Sequence, residues 1–363
     1  MSKDNKVGKD GKVLTSMYDR WLETEGIEVI REVMIDDVRT VPLRPWPRKG
    51  GLGVHICLKG AEDIDDAYVC EIPPKSSLKP QKHLFEEMIL ILSGGKGKTE
   101  VWNEGGKKAT CEWQQGSLFA VPLNAWHQHV NLDDQPVRYL AVTDAPPVID
   151  LFHSHDFVFN NPYAFKDRFN GEGDYFSNEG TLFAEGVERI WETNRVPNVE
   201  TVALKSWKER GIGSSIRFEL AGNTMMSHIS EFGVGTYKKA HRHAPGAYII
   251  ILEGEGYSLL WLEGQPKGKY AWQRGSLIVP GRMEFHQHFN TGREPAKYLA
   301  LRWGSQKFPT GKHFSEGENW WFSTKLGGNQ IEYEDEDPEV RQTYEQELAK
   351  KGIEIRQPLT GKK

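Results

Sequence analysis

Apolar residues fall in many short runs, separated by turns rich in Gly, Pro and Asn. With 12 Trp, 12 Tyr, 16 Phe and 37 Gly, this pattern predicts an all-β protein with many turns. Helical signals sit near the two ends. Residues 16–25 are predicted as a short helix, with Ser16 as its N-cap and Gly26 as its stop. Residues 27–33 then alternate like a strand. Asp337-Pro338 opens a second helix and Gly352 closes it. The two ends echo each other: Tyr18-xxx-Leu22-xxx-Gly26-Ile-Glu-Val29 matches Tyr344-xxx-Leu348-xxx-Gly352-Ile-Glu-Ile355. Each reads as a helix, a Gly stop and a short strand. Such arms are suited to lie across a partner barrel, within the chain or between subunits.

Between the arms the chain repeats itself. Val38-Arg-Thr-Val-Pro-Leu-Arg-Pro-Trp46 matches Val199-Glu-Thr-Val-Ala-Leu-Lys-Ser-Trp207. Trp113-Gln-Gln-Gly-Ser-Leu118 matches Trp272-Gln-Arg-Gly-Ser-Leu277, and His127-Gln-His-Val-Asn131 matches His286-Gln-His-Phe-Asn290. Pro136-Val-Arg-Tyr-Leu-Ala141 matches Pro295-Ala-Lys-Tyr-Leu-Ala300. The offsets are 161, 159, 159 and 159, so the units differ by very small insertions. Short strands separated by turns, repeated once, predict two jelly-roll barrels in tandem. The expected division is an N-terminal arm 1–37, barrels 38–145 and 199–305, an inter-barrel segment 146–198 and a C-terminal arm 306–363. The inter-barrel segment exceeds an ordinary loop and is expected to pack on a barrel or in a subunit contact.

The length of 363 residues suffices for two cores. A net charge of −5 gives no general pull toward nucleic acid or acidic membranes. The acidic run 332–337 reads as a solvated loop before a helix, and residues 1–14 as disordered. Cys57, Cys70 and Cys111 match no zinc spacing and are expected as reduced core residues. No stretch approaches the ~18 apolar residues of a membrane span, so a soluble, cytoplasmic protein is expected.

The stretch His241-Arg-His-Ala-Pro-Gly-Ala247-Tyr-Ile-Ile-Ile-Leu-Glu-Gly254-Glu-Gly256 holds candidate chemistry. If it is a strand, residues 241, 243 and 247 share one face, and two imidazoles on that face can hold one metal ion. A third histidine follows at His286. The candidate ligands are His241, His243 and His286, with Ala247 beside them. The equivalent positions of the first barrel are Gln81, His83, Glu87 and His127. There His83, Glu87 and His127 form a second candidate triad, and Gln81 is a doubtful ligand because an amide carbonyl binds weakly compared with imidazole. His288, two residues beyond His286, is a candidate acid/base group. Arg217, Arg302 and His228 lie in strand-like runs, but each is expected to be structural or solvent-facing. His153-Ser-His155 is a further pair, expected as a surface or packed loop.

These motifs resemble those of the cupin superfamily: a His-x-His strand, a Gly-x-Gly turn and a later Gly…Pro…His…Asn run. The whole chain resembles a bicupin. Its second copy is similar to the metal-binding motif of gentisate-type ring-cleaving dioxygenases, which act on gentisate, salicylate or 1-hydroxy-2-naphthoate. These share the His-Arg-His opening, Ala at the place of the usual metal-binding Glu, and the aromatic-His-x-His-x-Asn ending. The resemblance implies a non-haem Fe(II) centre on which a bidentate hydroxy-aromatic acid and O₂ bind together before ring cleavage. It also implies a homo-oligomer. In that family the metal-bearing barrel is usually the first, whereas here the second matches better. Imidazole ligands also suit Zn, Cu, Ni and, with carboxylate, Mn.

Three neutral imidazoles would leave a divalent ion its full +2 charge. A site of that kind favours an anionic chelating substrate. Two other readings stand beside the dioxygenase: a metal-dependent decarboxylase, lyase or isomerase of the bicupin type, and a non-catalytic small-molecule-binding protein.

Overall fold

The computed structural model of the protein describes residues 15–61, 64–183, 190–206, 210–244, 246–309 and 322–357. The stretch 1–14 and Trp207 of the repeat lie outside the described residues. The chain forms two β-barrels in tandem, each built from a large and a small sheet.

Strand alternation determines what each barrel encloses. In the first barrel, the central strands Glu87–Ser93 and Val137–Thr143 pair antiparallel in the large sheet. Met88, Leu90 and Leu92 face a core shared by both barrels, while Ile89 and Ile91 face the barrel interior. In the second, Tyr248, Ile250 and Leu252 join the shared core, while Ala247, Ile249 and Ile251 face inward. Both faces of these strands are buried, which is why they read as unbroken apolar runs rather than as alternating ones. The two large sheets thus pack back to back, and Glu87 and Ala247 are held on the inward register.

The segments preceding the barrels cross over. Met34–Ile35 pairs with Leu277–Ile278 of the second barrel, and Arg195–Val196 pairs with Leu118–Phe119 of the first. The exchange is reciprocal and clamps the barrels together. The expected strand over 27–33 is instead broken. Val29–Ile30 stays on the first barrel, in parallel with His55–Ile56, and the chain then crosses to the second.

Four α-helices flank the barrels. Helix α1, Met17–Glu25, has Ser16 as its N-cap and Gly26 in the left-handed region at φ 67°, as the sequence predicts. Helices α2, Ala145–Phe152, and α3, His155–Asn160, come from the inter-barrel segment and pack with α1 in one small core containing Tyr18, Trp21, Leu22, Phe85, Ile149 and Val158. Helix α4, Pro338–Lys351, runs from Asp337 to the left-handed Gly352. It covers the small sheet of the second barrel through Val340, Tyr344 and Leu348. Each helix therefore lies on its own barrel, and only short strands are exchanged. The acidic run 332–337 is less solvated than expected. Its Glu336 accepts from Tyr237 Oη at 2.8 Å and Gln287 Nε2 at 2.6 Å. Cys57, Cys70 and Cys111 are buried and free. No helix among the described residues is long and apolar enough to cross a membrane.

Glu86, next to the first site, links the barrels. It is 4% exposed, and its Oε2 accepts from Thr224 N, Thr224 Oγ1 and Met225 N at 2.7–3.0 Å. Its Oε1 accepts from Arg168 Nη1 at 3.1 Å. Glu86→Ala leaves these donors unmatched in a buried place and is expected to cost about 3 kcal/mol. Chemical unfolding of the variant against wild type measures this, and a loss under about 1 kcal/mol would show that the link contributes little.

Candidate metal centres

Among the described residues, two groups of acidic, cysteine or histidine side chains bring three ligand atoms within 4.8 Å of one another. They are His83, Glu87 and His127 in the first barrel, and His241, His243 and His286 in the second.

In the first barrel, Glu87 opens an inner strand and His127 lies on strand Trp126–Asn131. His83 lies outside the strands, in the connection between them, so residues 81, 83 and 87 do not share one strand face as the sequence suggested. Gln81 makes only an isolated bridge to His127. The ring of His83 stacks on Phe85 at 3.7 Å and its Nδ1 faces Phe85 O at 2.8 Å. His127 Nδ1 faces Ala125 O at 3.2 Å. A carbonyl beside Nδ1 places the proton there and turns the Nε2 lone pair inward. Both Nε2 atoms lie 3.5 Å from Glu87 Oε2. These three buried atoms have no hydrogen-bond partner. Converging acceptors without a donor repel one another, and a cation between them removes the conflict. The residues therefore fit a metal ion.

The other oxygen of Glu87 accepts from the Tyr68 hydroxyl, which in turn accepts from Lys49 Nζ at 2.6 Å. Burial pushes the Glu87 carboxyl up, against the opposing charges of Lys49 and Arg48. Burial also brings Lys49 down to about 8, with Glu87 opposing, and His127 down to about 3, with Lys49 adding to the effect. Gln81 Oε1 accepts from Arg48 Nη1 at 2.9 Å, so its amide is engaged away from the triad.

In the second barrel, His241 ends the two-residue strand Ala240–His241 and pairs with His286 on strand Phe285–Asn290. His243 again lies beyond the strand. Ring centroids are 4.1 Å apart for His241 and His286 and 4.9 Å for His243 and His286. His241 Nδ1 faces Lys239 O at 3.1 Å and His286 Nδ1 faces Glu284 O at 3.2 Å, which again fixes the tautomer.

The matching backbone contacts of the two barrels align their interiors. The carbonyls of Lys49 and Arg210 accept from Lys79 and Lys239, and the amides of Leu78 and Lys238 donate to His129 and His288. Tyr68 and His228 pair with Ala141 and Ala300. The second barrel thus replaces Glu87 by Ala247, Tyr68 by His228, Lys49 by Arg210 and the core Leu78 by Lys238. Lys238 is 2% exposed and its Nζ has no hydrogen-bond partner. Burial, then the charge of Arg210, brings it down to about 7.

Behind each triad lies a repeated relay. Trp272 Nε1 donates to Ser258 Oγ at 3.0 Å, which meets His288 Nδ1 at 2.7 Å. Trp113, Thr99 and His129 repeat it at 2.9 and 2.7 Å. The relay explains the Gly-x-Gly motif: a Cβ on Gly256 would lie 2.6 Å from the Trp272 ring, and one on Gly97 would collide with Trp113. His288 is therefore a hydrogen-bonded wall of the site, with His129 as its counterpart. Burial, then Lys238 and Arg210, bring His288 down to about 3.

Arg217 and Arg302 are buried rather than solvent-facing, and His228 is half-buried. His153 and His155 sit at the junction of α2 and α3 and join neither cluster. Reading the sequence passed over Lys49, Tyr68, Arg210 and Lys238. The repeat alignment held one clue, since it sets Lys238 against a leucine of the first core.

Residues 68–143 match the family model described as a cupin domain. A stretch of 76 residues is 32% identical to a gentisate 1,2-dioxygenase from a Streptomyces species, covering 21% of this chain and 20% of that protein. The chain thus matches about a fifth of that relative's length. Similar solved structures include the oxalate decarboxylase of Bacillus subtilis at pH 4.6, 16% identical with a TM-score of 0.52, covering 84% of this chain and 88% of that one. Another describes the substrate binding mode of oxalate decarboxylase, at 14% identity and a TM-score of 0.53, covering 78% and 80%. A third concerns the Mn(II) centres of the Bacillus subtilis enzyme, at 14% identity and a TM-score of 0.50, covering 78% and 80%. At these identities the likeness establishes the fold.

The lowered histidines give a direct test. In the metal-free protein, His127 and His288 refuse a proton that the unfolded chain takes up below about pH 6.5, so each opposes folding by an amount that grows as pH falls from there to the folded value of about 3 and stays at its full size below it. Their NMR signals are expected to show no titration step between about pH 8 and pH 5, whereas a step near pH 6.5 would mean that the rings are solvated.

Proposed function

Since the chain is a two-barrel member of the cupin superfamily, we propose that it is a metal-dependent enzyme whose second barrel oxidises a small anionic, metal-chelating substrate, namely a hydroxylated aromatic acid, with dioxygen. One observation carries the reading: the second barrel offers three histidines and no carboxylate, with Ala247 at the place of Glu87 and the buried Lys238, which has no hydrogen-bond partner, in the same interior. Neutral ligands leave the charge of a divalent ion uncompensated, and Lys238 adds to it when protonated. Buried positive charge of this kind calls for an anion.

Bound to His241, His243 and His286, Fe(II) would supply electron transfer between substrate and O₂. The chain does the rest. Lys238 and Arg210 attract and orient the acid group. His288, kept neutral by burial, adds no charge to the site. The aromatic lining of Phe232 and Tyr298 excludes water from the same interior. Iron is chosen on the resemblance of the second barrel's motif to gentisate-type dioxygenases, since imidazole ligands alone also suit Zn, Cu and Ni.

A second reading draws on the first barrel. Its two histidines and one carboxylate, together with the fold shared with oxalate decarboxylases, favour a decarboxylation without net use of O₂.

Oxygen and carbon dioxide measurements separate the two. Fe(II)-loaded protein given salicylate, gentisate and related ortho-hydroxy acids is expected to take up O₂ in proportion to substrate. Release of CO₂ from a small dicarboxylate without O₂ uptake would favour the decarboxylase. Ala247→Glu should keep its metal but lose substrate affinity by about 100-fold, because it fills an open position and lowers the site's charge together. Undiminished turnover in that variant would place the chemistry at His83, Glu87 and His127.

A further inference from the structure

The first barrel carries a cover that the second lacks among the described residues. A narrow cavity beside the His83 triad has room for about one water molecule. Its walls include Arg48, Lys49, His55, Gln81 and Phe85, and it is closed by Trp21 of α1. Trp21 is 4% exposed and packs on His55 and Phe159 at 5.4 and 5.7 Å. His55 is 1% exposed, and neither of its ring nitrogens has a hydrogen-bond partner. A buried imidazole with two unsatisfied nitrogens beside a cavity calls for a polar guest.

The cover is tied directly to the ligand ring. Glu25, the last residue of α1, accepts from Trp46 Nε1 at 2.7 Å and from Arg48 Nε at 2.7 Å. Arg48 in turn holds the oxygen of Gln81, which occupies the place of the ligand His241. Arg48 also lies between the rings of Trp21, Trp46 and Phe159, at 5.3–5.6 Å. Helix α1 has no backbone ladder to the barrel. It is held by these side chains, by Tyr18 Oη on Asp66 at 2.5 Å, by Tyr18 N on Asp150 at 2.8 Å and by the small core it shares with α2 and α3. It can therefore lift without breaking the sheets. By contrast, α4 sits on the outer face of the second barrel, away from its triad.

We propose that α1 is a hinged cap over the first barrel, latched by Glu25 to Arg48, and that the closed barrel admits only a guest about the size of a water molecule while the second barrel takes the larger acid. The proposal rests on the reading that His83, Glu87 and His127 hold a metal ion. The cap makes the two sites differ in access as well as in charge.

Full-length protein loaded with Co(II), whose visible absorption reports its ligands, tests this. Release into excess EDTA is expected in two phases, the slow one belonging to the first barrel and missing in Glu87→Ala. Glu25→Gln and Trp21→Ala should each speed the slow phase by at least about tenfold, the equivalent of one lost charge-assisted hydrogen bond, and leave the fast phase unchanged. Salicylate should perturb the first-barrel bands only in Trp21→Ala. A slow phase that neither variant moves, or salicylate reaching the first barrel of wild type, overturns the cap. If Glu87→Ala loses no metal, the metal reading itself fails, and the proposal with it.

Discussion

The molecule depends on strand register at two equivalent positions. Glu87 begins, and Ala247 immediately precedes, a central strand whose alternate residues are locked in the inter-barrel core, Met88 and Leu90 on one side and Tyr248 and Ile250 on the other. A slip of one residue would exchange these with the inward residues and bury a carboxylate between the barrels. The packing of the two large sheets therefore aims both positions at the metal-binding interior. The reciprocal exchange of Met34–Ile35 and Arg195–Val196 makes each barrel's large sheet depend on the other's.

On that common frame the two interiors have diverged electrostatically. The first compensates itself. Glu87 turns one oxygen toward His83 and His127 and the other to Tyr68, and Lys49 completes the chain. The second is the more positive. It loses the carboxylate and gains Lys238 in place of a core leucine. Lys238 is buried beside the Phe232 ring without a hydrogen-bond partner, and an anion arriving with the substrate would satisfy it. The repeated Trp–hydroxyl–His relay holds His129 and His288 in the same way in the two barrels, so the difference lies in charge rather than in scaffold.

Much of this was legible in the sequence, because repeats and caps are local signals. The four matched segments revealed two units, and Ser16, Gly26, Asp337 and Gly352 marked both long helices correctly. The candidate triads also came from spacing, although His83 and His243 reach their positions from loops rather than along a strand. What stayed hidden was long-range. Nothing local says that residues 34 and 35 pair with the second barrel, that Glu25 reaches Arg48, or that Tyr68 meets Glu87. Glu336 looked like part of a solvated acidic run until the fold set it against Tyr237 and Gln287. Lys238 belongs to no motif, so nothing local marked it as buried.

Metal stoichiometry separates the two centres most directly. Protein reconstituted with Fe(II) under anaerobic conditions and analysed by elemental mass spectrometry should hold two ions per chain. His83→Ala and His286→Ala should each hold one, because each removes a ligand from a different triad. A single ion per chain that survives His286→Ala and vanishes in His83→Ala would contradict the account, since the barrel assigned to the substrate would then hold no metal.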